Sequence, residues 1–248
     1  MRGGASRRLL SRLTFVPALL VSAGPLLAQD LSVTLGQGGI GERALQLVAL
    51  LTALSVAPSL LVMITSFTRI VVALSLLRSA LGTQSAPPNM VITALALFLT
   101  AFVMSPVFET AYDTGIKPLV AGQIRESEAF ERTMRPFHGF MLKNAREKDV
   151  ELFVTLSRKP APDTPDALPL TTLIPAFMIS ELRRAFEIGF LLFLPFLVID
   201  LIVSSILISM GMMMVPPVTV ALPFKLVFFV LVDGWRLVVG SLVQSFVT

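Results

Sequence analysis

The side chains best able to do chemistry in this sequence are charges placed within apolar segments. Arg69, Asp200 and Lys225 each lie deep inside such a segment. A charge in lipid is costly, so we expect these residues to face a protein interior, a partner protein or water.

Asp200 and Lys225 flank the same turn. Asp200 lies ten residues before Met210, and Lys225 lies eight residues after Pro217. At about 1.5 Å per helical residue both charges lie roughly 12–15 Å from the turn, so we expect them to meet within one hairpin or between neighbouring copies. We favour a structural ion pair over a proton relay, because buried ion pairs specify geometry more reliably than they stabilise it.

Arg69 is harder to satisfy, because the segment predicted to run antiparallel to it carries no acid over residues 90–108. Its partner must therefore come from the other hairpin or from another subunit. The second case would indicate an oligomer.

Glu181 begins a charged cluster that ends at Glu187. Glu181 and Arg184 are three residues apart, and Arg183 and Glu187 are four apart, so both pairs can form local bridges on a helix. A solvated helix end is the ordinary interpretation. Because apolar residues flank the cluster on both sides, the pattern favours a contact surface.

A methionine-rich turn follows the segment that holds Asp200. It contains four of the chain's 11 methionines, Met210, Met212, Met213 and Met214. Thioethers can bind copper(I), but neither cysteine nor a second histidine is present to support such a site. Methionine usually fills cores, yet consecutive methionines beside a glycine and two prolines cannot all lie on one buried face. A ring of such turns from several copies is expected to form a deformable apolar constriction that seals a pore against small ions.

Composition argues against most enzyme and cofactor chemistry. The chain has 248 residues, no cysteine and a single histidine, His138, which excludes disulfides, thiolate metal sites and histidine-based triads. The glycine-rich run 36–41 follows no predicted strand and is interpreted as a linker rather than a phosphate-binding loop. We predict a protein that is not an enzyme and has no cofactor, and the net charge of +4 gives no indication of nucleic-acid binding.

The same composition predicts an all-α membrane protein. Hydrophobic residues make up 54% of the chain and charged residues 15%, whereas soluble domains average about 25% charged. Three charge-free stretches of 25, 30 and 24 residues each exceed the roughly 20 residues that a membrane helix needs. With the turn residues between them, they predict two antiparallel apolar hairpins built from helices at about 43–80, 89–108, 184–209 and 217–246.

The segments can be placed in order along the chain. Four arginines precede a short apolar run that ends at Ala28, which predicts a cleavable signal peptide. A first membrane helix is the alternative, although two prolines and a glycine weaken it. The hydrophilic segment between the hairpins is expected to hold two or three short amphipathic helices and a proline-rich loop. The predicted divisions are a signal peptide over 1–28, a linker over 29–43, the first hairpin over 44–108, a helical periplasmic segment over 109–183, and the second hairpin over 184–248.

This topology agrees poorly with the positive-inside rule. Only Arg78 lies near a predicted cytoplasmic loop, whereas Arg183, Arg184 and Arg236 lie near predicted outer ends. Either the helix count is wrong, or these helices are not ordinary bilayer spans.

Several motifs together resemble the FliP family of type III secretion export-gate proteins. The likeness covers about 44–108 and 172–248, and as a set the motifs are highly specific. They are 65–72, 84–89, 180–190, 194–201, 210–217, 222–225 and 229–235.

The resemblance implies a helical multi-subunit channel in the bacterial inner membrane, at the flagellar basal body. Several copies would assemble with FliQ and FliR, and FlhA, FlhB, the exported flagellar proteins and the lipid bilayer are further implied partners. Met210, Met212, Met213 and Met214 would form the channel gasket, and Glu181, Asp200 and Lys225 would lie at subunit contacts. Much of such a complex sits above the membrane plane, which would account for the poor agreement with the positive-inside rule.

Two other functions compete with a channel subunit. One is an ion-coupled small-molecule transporter that uses Arg69, Asp200 and Lys225, although the chain lacks a repeated set of helices. The other is a structural scaffold for other subunits. Injectisome proteins share the resembling core, so the flagellar assignment over virulence secretion rests on how closely the motifs agree.

Overall fold

The computed structural model describes residues 40–83, 85–158, 164–212 and 214–247. Their regular structure is entirely helical. A π-helical turn, Tyr112–Ile116, joins the third helix to the fourth, and a 3₁₀ turn, Pro165–Ala167, precedes the seventh. The α-helices in these ranges are α1 (Ile40–Met63), α2 (Phe67–Leu81), α3 (Asn89–Ala111), α4 (Lys117–Val120), α5 (Glu126–Asn144), α6 (Glu147–Ser157), α7 (Leu170–Ser209), α8 (Pro217–Leu231) and α9 (Gly234–Val247).

The chain divides into two compact units, residues 1–57 and 58–248. Of the first unit, the described residues are the first part of α1, where Leu45 and Leu54 are exposed. The second unit holds all the other helices. The predicted signal peptide over 1–28 lies outside the described residues, as does most of the predicted linker.

Three stretches of helix are long and apolar enough to cross a membrane: Ala44–Met63, Asn89–Val120 and Leu170–Ser209. Helices α8 and α9 are bent by 65° at their junction and would make a fourth span if they act as one. The chain is an all-α membrane protein, as the composition predicts.

Helix α7 has 40 residues and is therefore about 60 Å long, roughly twice the thickness of a bilayer core. It begins at Leu170, not near residue 184 as predicted. The charges at 181–187 do not mark a helix end, because one of them is buried inside the chain and others pair along the helix surface. Beyond Glu187, Asp200 is the sole charged residue of α7, so this second half suits a bilayer and the first half extends past it.

The predicted helix over 43–80 is interrupted at residues 64–66. Thr65 and Ser66 are buried there, and the Thr65 hydroxyl donates to the carbonyl oxygen of Val62 at 3.2 Å. Hydroxyl side chains that bond to nearby backbone compete with the helical ladder. The continuous apolar sequence over 43–80 does not predict this break.

The predicted helix over 217–246 is also broken. Asp233 adopts a left-handed conformation with φ +52° and separates α8 from α9. Gly234 follows it in a place where a Cβ would lie 2.2 Å from the Phe229 ring, so only glycine fits without a shift of that ring. A single left-handed residue and one close aromatic contact are enough to turn the chain.

The core of the second unit forms around α2. Ile70, Leu74 and Leu77 are buried in a cluster with side chains from α3, α7, α8 and α9. A second cluster, which includes Met141 and Phe177, joins α5 to α3 and α7. The hydrophilic segment is therefore packed onto the long apolar helices and does not form a separate module.

Gly189 sets the approach of α7 to α2, since a Cβ at this position would lie 2.2 Å from Leu76 Cδ1 and 3.0 Å from Leu76 Cβ. We expect Gly189→Leu to lower the free energy of unfolding of the detergent-solubilised chain by about 1–3 kcal/mol through overpacking. The measurement is thermal unfolding followed by circular dichroism. Gly240→Leu in α9 is the control, because a Cβ there meets nothing within 4 Å. Equal melting temperatures for the two variants would contradict this packing argument.

Candidate functional site

Arg69 on α2 and Glu181 on α7 form an ion pair in the interior of the chain. Both side chains have no exposed surface. The Arg69 Nε atom donates to Glu181 Oε2 at 2.9 Å, and its Nη2 atom donates to Glu181 Oε1, so the contact is bidentate. The partner therefore comes from the same chain. It lies neither in the second predicted hairpin, 184–248, nor in another subunit, because Glu181 falls within the predicted hydrophilic segment, 109–183, which in the structure contains the first part of α7.

Three further residues complete the surroundings of this guanidinium. Arg69 Nη1 donates to the carbonyl oxygen and to the hydroxyl of Ser245, each at 2.9 Å, and Nη2 reaches Asn144 Oδ1 at 3.4 Å. The Phe246 ring lies 3.7 Å from the guanidinium carbon, in a cation–π contact. Burying a charge is tolerated only when it is paired and hydrogen-bonded, and all three nitrogens of Arg69 are engaged.

The Arg69 centre therefore joins four helices that are far apart in sequence. Arg69 comes from α2, Asn144 from α5, Glu181 from α7, and Ser245 with Phe246 from α9. Sequence reasoning missed Asn144, Ser245 and Phe246. An asparagine in a charged segment and a serine near the chain end carry no pattern that marks them as buried ligands of an arginine.

The charged cluster on α7 forms only one of the two local ion pairs that its spacing predicts. Arg183 and Glu187 do form the expected bridge, at 2.9 Å, and both are exposed. Glu181 pairs with Arg69 instead of Arg184, because its side chain is buried in the core, whereas Arg183 is exposed and Arg184 is half-buried.

Asp200 and Lys225 pair within one chain. Lys225 Nζ donates to Asp200 Oδ2 at 2.7 Å, linking α7 to α8. The same ammonium donates to the carbonyl oxygen of Ala80 at 3.2 Å, in the last turn of α2. A cation at a helix C-terminus is stabilised by the helix dipole and satisfies an unpaired carbonyl. Lys225 therefore ties the end of α2 to the hairpin of α7 and α8.

The two members of this second pair differ in exposure. The Lys225 side chain is 5% exposed and that of Asp200 is 36% exposed. Asp200 Oδ1 is itself buried and has no hydrogen-bond partner in the described chain. Arg69 and Glu181 thus satisfy each other inside the chain, and Lys225 is satisfied by Asp200 and the Ala80 carbonyl, whereas one oxygen of Asp200 stays without a partner among the described residues.

The methionine-rich turn begins where α7 ends. Gly211 has φ +75° and donates to the carbonyl of Ile208 at 3.0 Å, and the Met212 N–H donates to the carbonyl of Leu207 at 3.0 Å. These two bonds form a Schellman motif, which requires a left-handed residue and therefore favours glycine. Pro217 then occupies the first position of α8, where its missing N–H has no cost.

This turn presents methionines outward. Met210, Met212 and Met214 are 65%, 42% and 98% exposed, respectively. Met213 lies outside the described residues. A flexible apolar side chain that is nearly fully exposed does not fill the core of its own chain, so this geometry disfavours the core-filling interpretation for Met214.

The described residues contain no group of three or more histidine, cysteine, aspartate or glutamate side chains that could hold a metal ion.

Comparison with known proteins identifies the family. The sequence profile of the FliP family matches residues 50–242, which include Arg69, Glu181, Asp200, Lys225 and the whole methionine-rich turn. The chain belongs to the FliP family.

Members of the FliP family resemble the chain over most of its length. The flagellar biosynthetic protein FliP of Caulobacter vibrioides is 56% identical over 239 residues, covering 96% of this chain and 90% of that protein. FliP of Rhizobium meliloti is 48% identical, covering 94% of this chain and 98% of the relative. FliP of Bacillus subtilis is 51% identical, covering 81% and 91%.

The Arg69–Glu181 pair offers a test of its structural role. Arg69→Met leaves Glu181 buried without a partner, so we expect the free energy of unfolding to fall by about 3–5 kcal/mol. The double variant Arg69→Met with Glu181→Met removes both charges and is expected to recover most of that loss. Thermal unfolding in detergent measures both effects.

Arg183→Met is the matched control, since its ion pair with Glu187 is exposed and is expected to contribute under about 1 kcal/mol. A double variant as unstable as Arg69→Met alone would show that packing of the long side chains, and not pairing of the charges, stabilises this centre.

The Asp200–Lys225 pair predicts that swapping the two charges partly restores the folding that is lost when Asp200 is removed. Asp200→Ala leaves Lys225 nearly buried without its counter-charge and is expected to lower the yield of folded chain. The swapped variant, Asp200→Lys with Lys225→Asp, restores opposite charges but cannot donate from position 225 to the Ala80 carbonyl. We therefore expect intermediate recovery, measured as the monodisperse fraction on size-exclusion chromatography. Full recovery would show that the contact with α2 is dispensable.

Proposed function

We propose that the chain is a core subunit of the flagellar type III protein export gate in the bacterial inner membrane. In this proposal, it forms with FliQ, FliR and further copies of itself the channel through which unfolded flagellar proteins pass during flagellum assembly. FlhA and FlhB are its neighbours at the basal body. Its contribution is a conducting and sealing surface rather than catalysis.

The family match over 50–242 carries this proposal. Relatives that cover 81–96% of the chain bear the name flagellar biosynthetic protein FliP. Three helices with membrane-crossing length and composition support an inner-membrane location.

The methionine-rich turn supports a role as the channel gasket. Met210, Met212 and Met214 are exposed at the tip of a hairpin that is held by backbone hydrogen bonds. Such a tip can present soft side chains to a central space without unfolding the helices behind it. Thioether side chains are unbranched and polarisable, so a ring of them can close around water and ions and still deform for a polypeptide.

The buried and half-buried charges are also part of this proposal, and we assign different roles to Asp200 and to the Arg69–Glu181 pair. Asp200 is the member of the set whose side chain keeps exposed surface, so it is our candidate for a contact with a neighbouring subunit. The Arg69–Glu181 pair holds the helices in the arrangement that presents this surface.

Replacing Met212, Met213 and Met214 with alanine tests the gasket. We expect the assembled complex to form and to leak small ions, because alanine leaves the constriction too wide to exclude hydrated ions. The measurement is ion conductance of the purified complex in a planar bilayer. Met90→Ala is the control, since Met90 is 82% exposed at the start of α3 and lies outside the turn.

The result separates three functions. A scaffold predicts failed assembly without leak, and a small-molecule transporter predicts little change in either quantity. Normal sealing in a fully assembled triple variant would falsify the gasket assignment.

Co-expression with the genomic neighbours, followed by native mass spectrometry, tests the wider proposal. A defined complex with several copies of this chain and two other small membrane proteins supports the export gate. A monomer or dimer that is stable without partners would favour a transporter, with Asp200 and Lys225 as its candidate site.

A further inference from the structure

A cleft of about 500 Å³ opens where α3, α5 and α9 meet. Its walls are mostly apolar, with Phe102 and Val107 on α3, Phe140 on α5, and Val243 on α9. Phe102 is 70% exposed although it belongs to an apolar helix. Apolar walls around open space require an apolar occupant.

The cleft lies at one end of the apolar part of α3. The charge-free stretch of this helix ends at Phe108, and Glu109 follows directly. Residues 102–107 therefore lie within the last two turns before the helix becomes polar. In a bilayer this is the level at which acyl chains meet headgroups.

A single unpaired cation borders the apolar walls within the described part of the cleft. Lys143 lies one turn after Gly139 and Phe140 on α5 and makes no hydrogen bond or ion pair with the described residues. Glu147 follows it four residues later, but α5 ends at Asn144 and the backbone is extended at Ala145, so the helical spacing that would pair them is lost.

The other polar group in the cleft is already engaged. The Asn144 side chain accepts from Arg69 at 3.4 Å and donates to the carbonyl oxygen of Phe140 at 2.9 Å. A ligand that enters the cleft would therefore meet apolar walls and the ammonium of Lys143.

We propose that this cleft binds an anionic phospholipid, with one acyl chain against Phe102, Val107 and Phe140 and the headgroup phosphate against Lys143. Apolar surface takes the chain out of water, and a lysine beside the headgroup level supplies the opposite charge. The occupant would also cover the outer side of Phe246, which lines the cleft and packs on the Arg69 guanidinium. This proposal does not depend on the export-gate proposal, because it requires a bilayer and this chain alone, and the test below is made on the isolated chain if no partners co-purify with it.

The test uses the full chain co-purified with its genomic partners in a mild detergent. The complex is equilibrated with mixed micelles of phosphatidylglycerol and phosphatidylcholine, and the retained phospholipid is quantified by mass spectrometry. We expect phosphatidylglycerol to be retained preferentially, and Lys143→Gln to reduce that preference about fivefold. Lys148→Gln is the control, because Lys148 is an exposed lysine on α6 that does not line the cleft. Equal retention in all three proteins would overturn the proposal.

A second measurement keeps the proposal testable if Lys143→Gln does not fold. A photoreactive phenylalanine analogue replaces Phe102, or Phe98 as the control, since Phe98 is 77% exposed on the same helix but does not line the cleft. After detergent purification removes bulk lipid, irradiation is expected to give a phospholipid adduct at position 102 and none at 98. An adduct between position 102 and a protein would show that a subunit, and not a lipid, fills the cleft.

Discussion

A guanidinium that is buried away from water needs hydrogen-bond acceptors for its N–H groups, and the acceptors for Arg69 lie on three other helices. Glu181 supplies the counter-charge, while Asn144 and Ser245 supply neutral oxygens. Removal of any one of these would leave part of a buried charge unsatisfied. The positions of α2, α5, α7 and α9 are therefore coupled through a single side chain. The apolar clusters around α2 give packing energy, but apolar contact is non-directional and does not by itself fix how the helices are registered.

The second ion pair, Asp200–Lys225, fixes the position of the hairpin that carries the methionines in the same way. Lys225 contacts Asp200 and the last turn of α2, so the hairpin of α7 and α8 is attached to the core at a defined depth. Beyond that attachment α7 continues to Ser209 and ends in a Schellman motif. The exposed methionines thus lie on a short turn whose supporting helices are held by charge pairing. The gasket that we propose at this turn would have such support, since its side chains could move while its backbone stays in place.

Several features of the fold follow directly from residue patterns. The scarcity of charge predicts a helical membrane protein, the Gly/Pro turn predicts the hairpin of α7 and α8, and the spacing of Asp200 and Lys225 predicts that they meet. These inferences succeed because they depend on local chemistry: a residue is apolar or charged, and helical rise converts sequence distance into depth. The helix boundaries are predicted less accurately, since the breaks at residues 64–66 and at Asp233 depend on the backbone conformation of a few residues within apolar sequence.

The sequence by itself determined that Arg69 needs an acid from outside its own hairpin, that the methionines lie in a turn, and that the chain resembles the FliP family. The tertiary structure decided which acid it is. Glu181 has local partners at helical spacing, and it becomes the partner of Arg69 because the α2–α7 contact, closed by Gly189 against Leu76, faces it inward. Asn144 and Ser245 join the same centre from 75 and 176 residues away. Periodicity and spacing describe one helix at a time, so contacts between helices this far apart appear only when the whole core has formed.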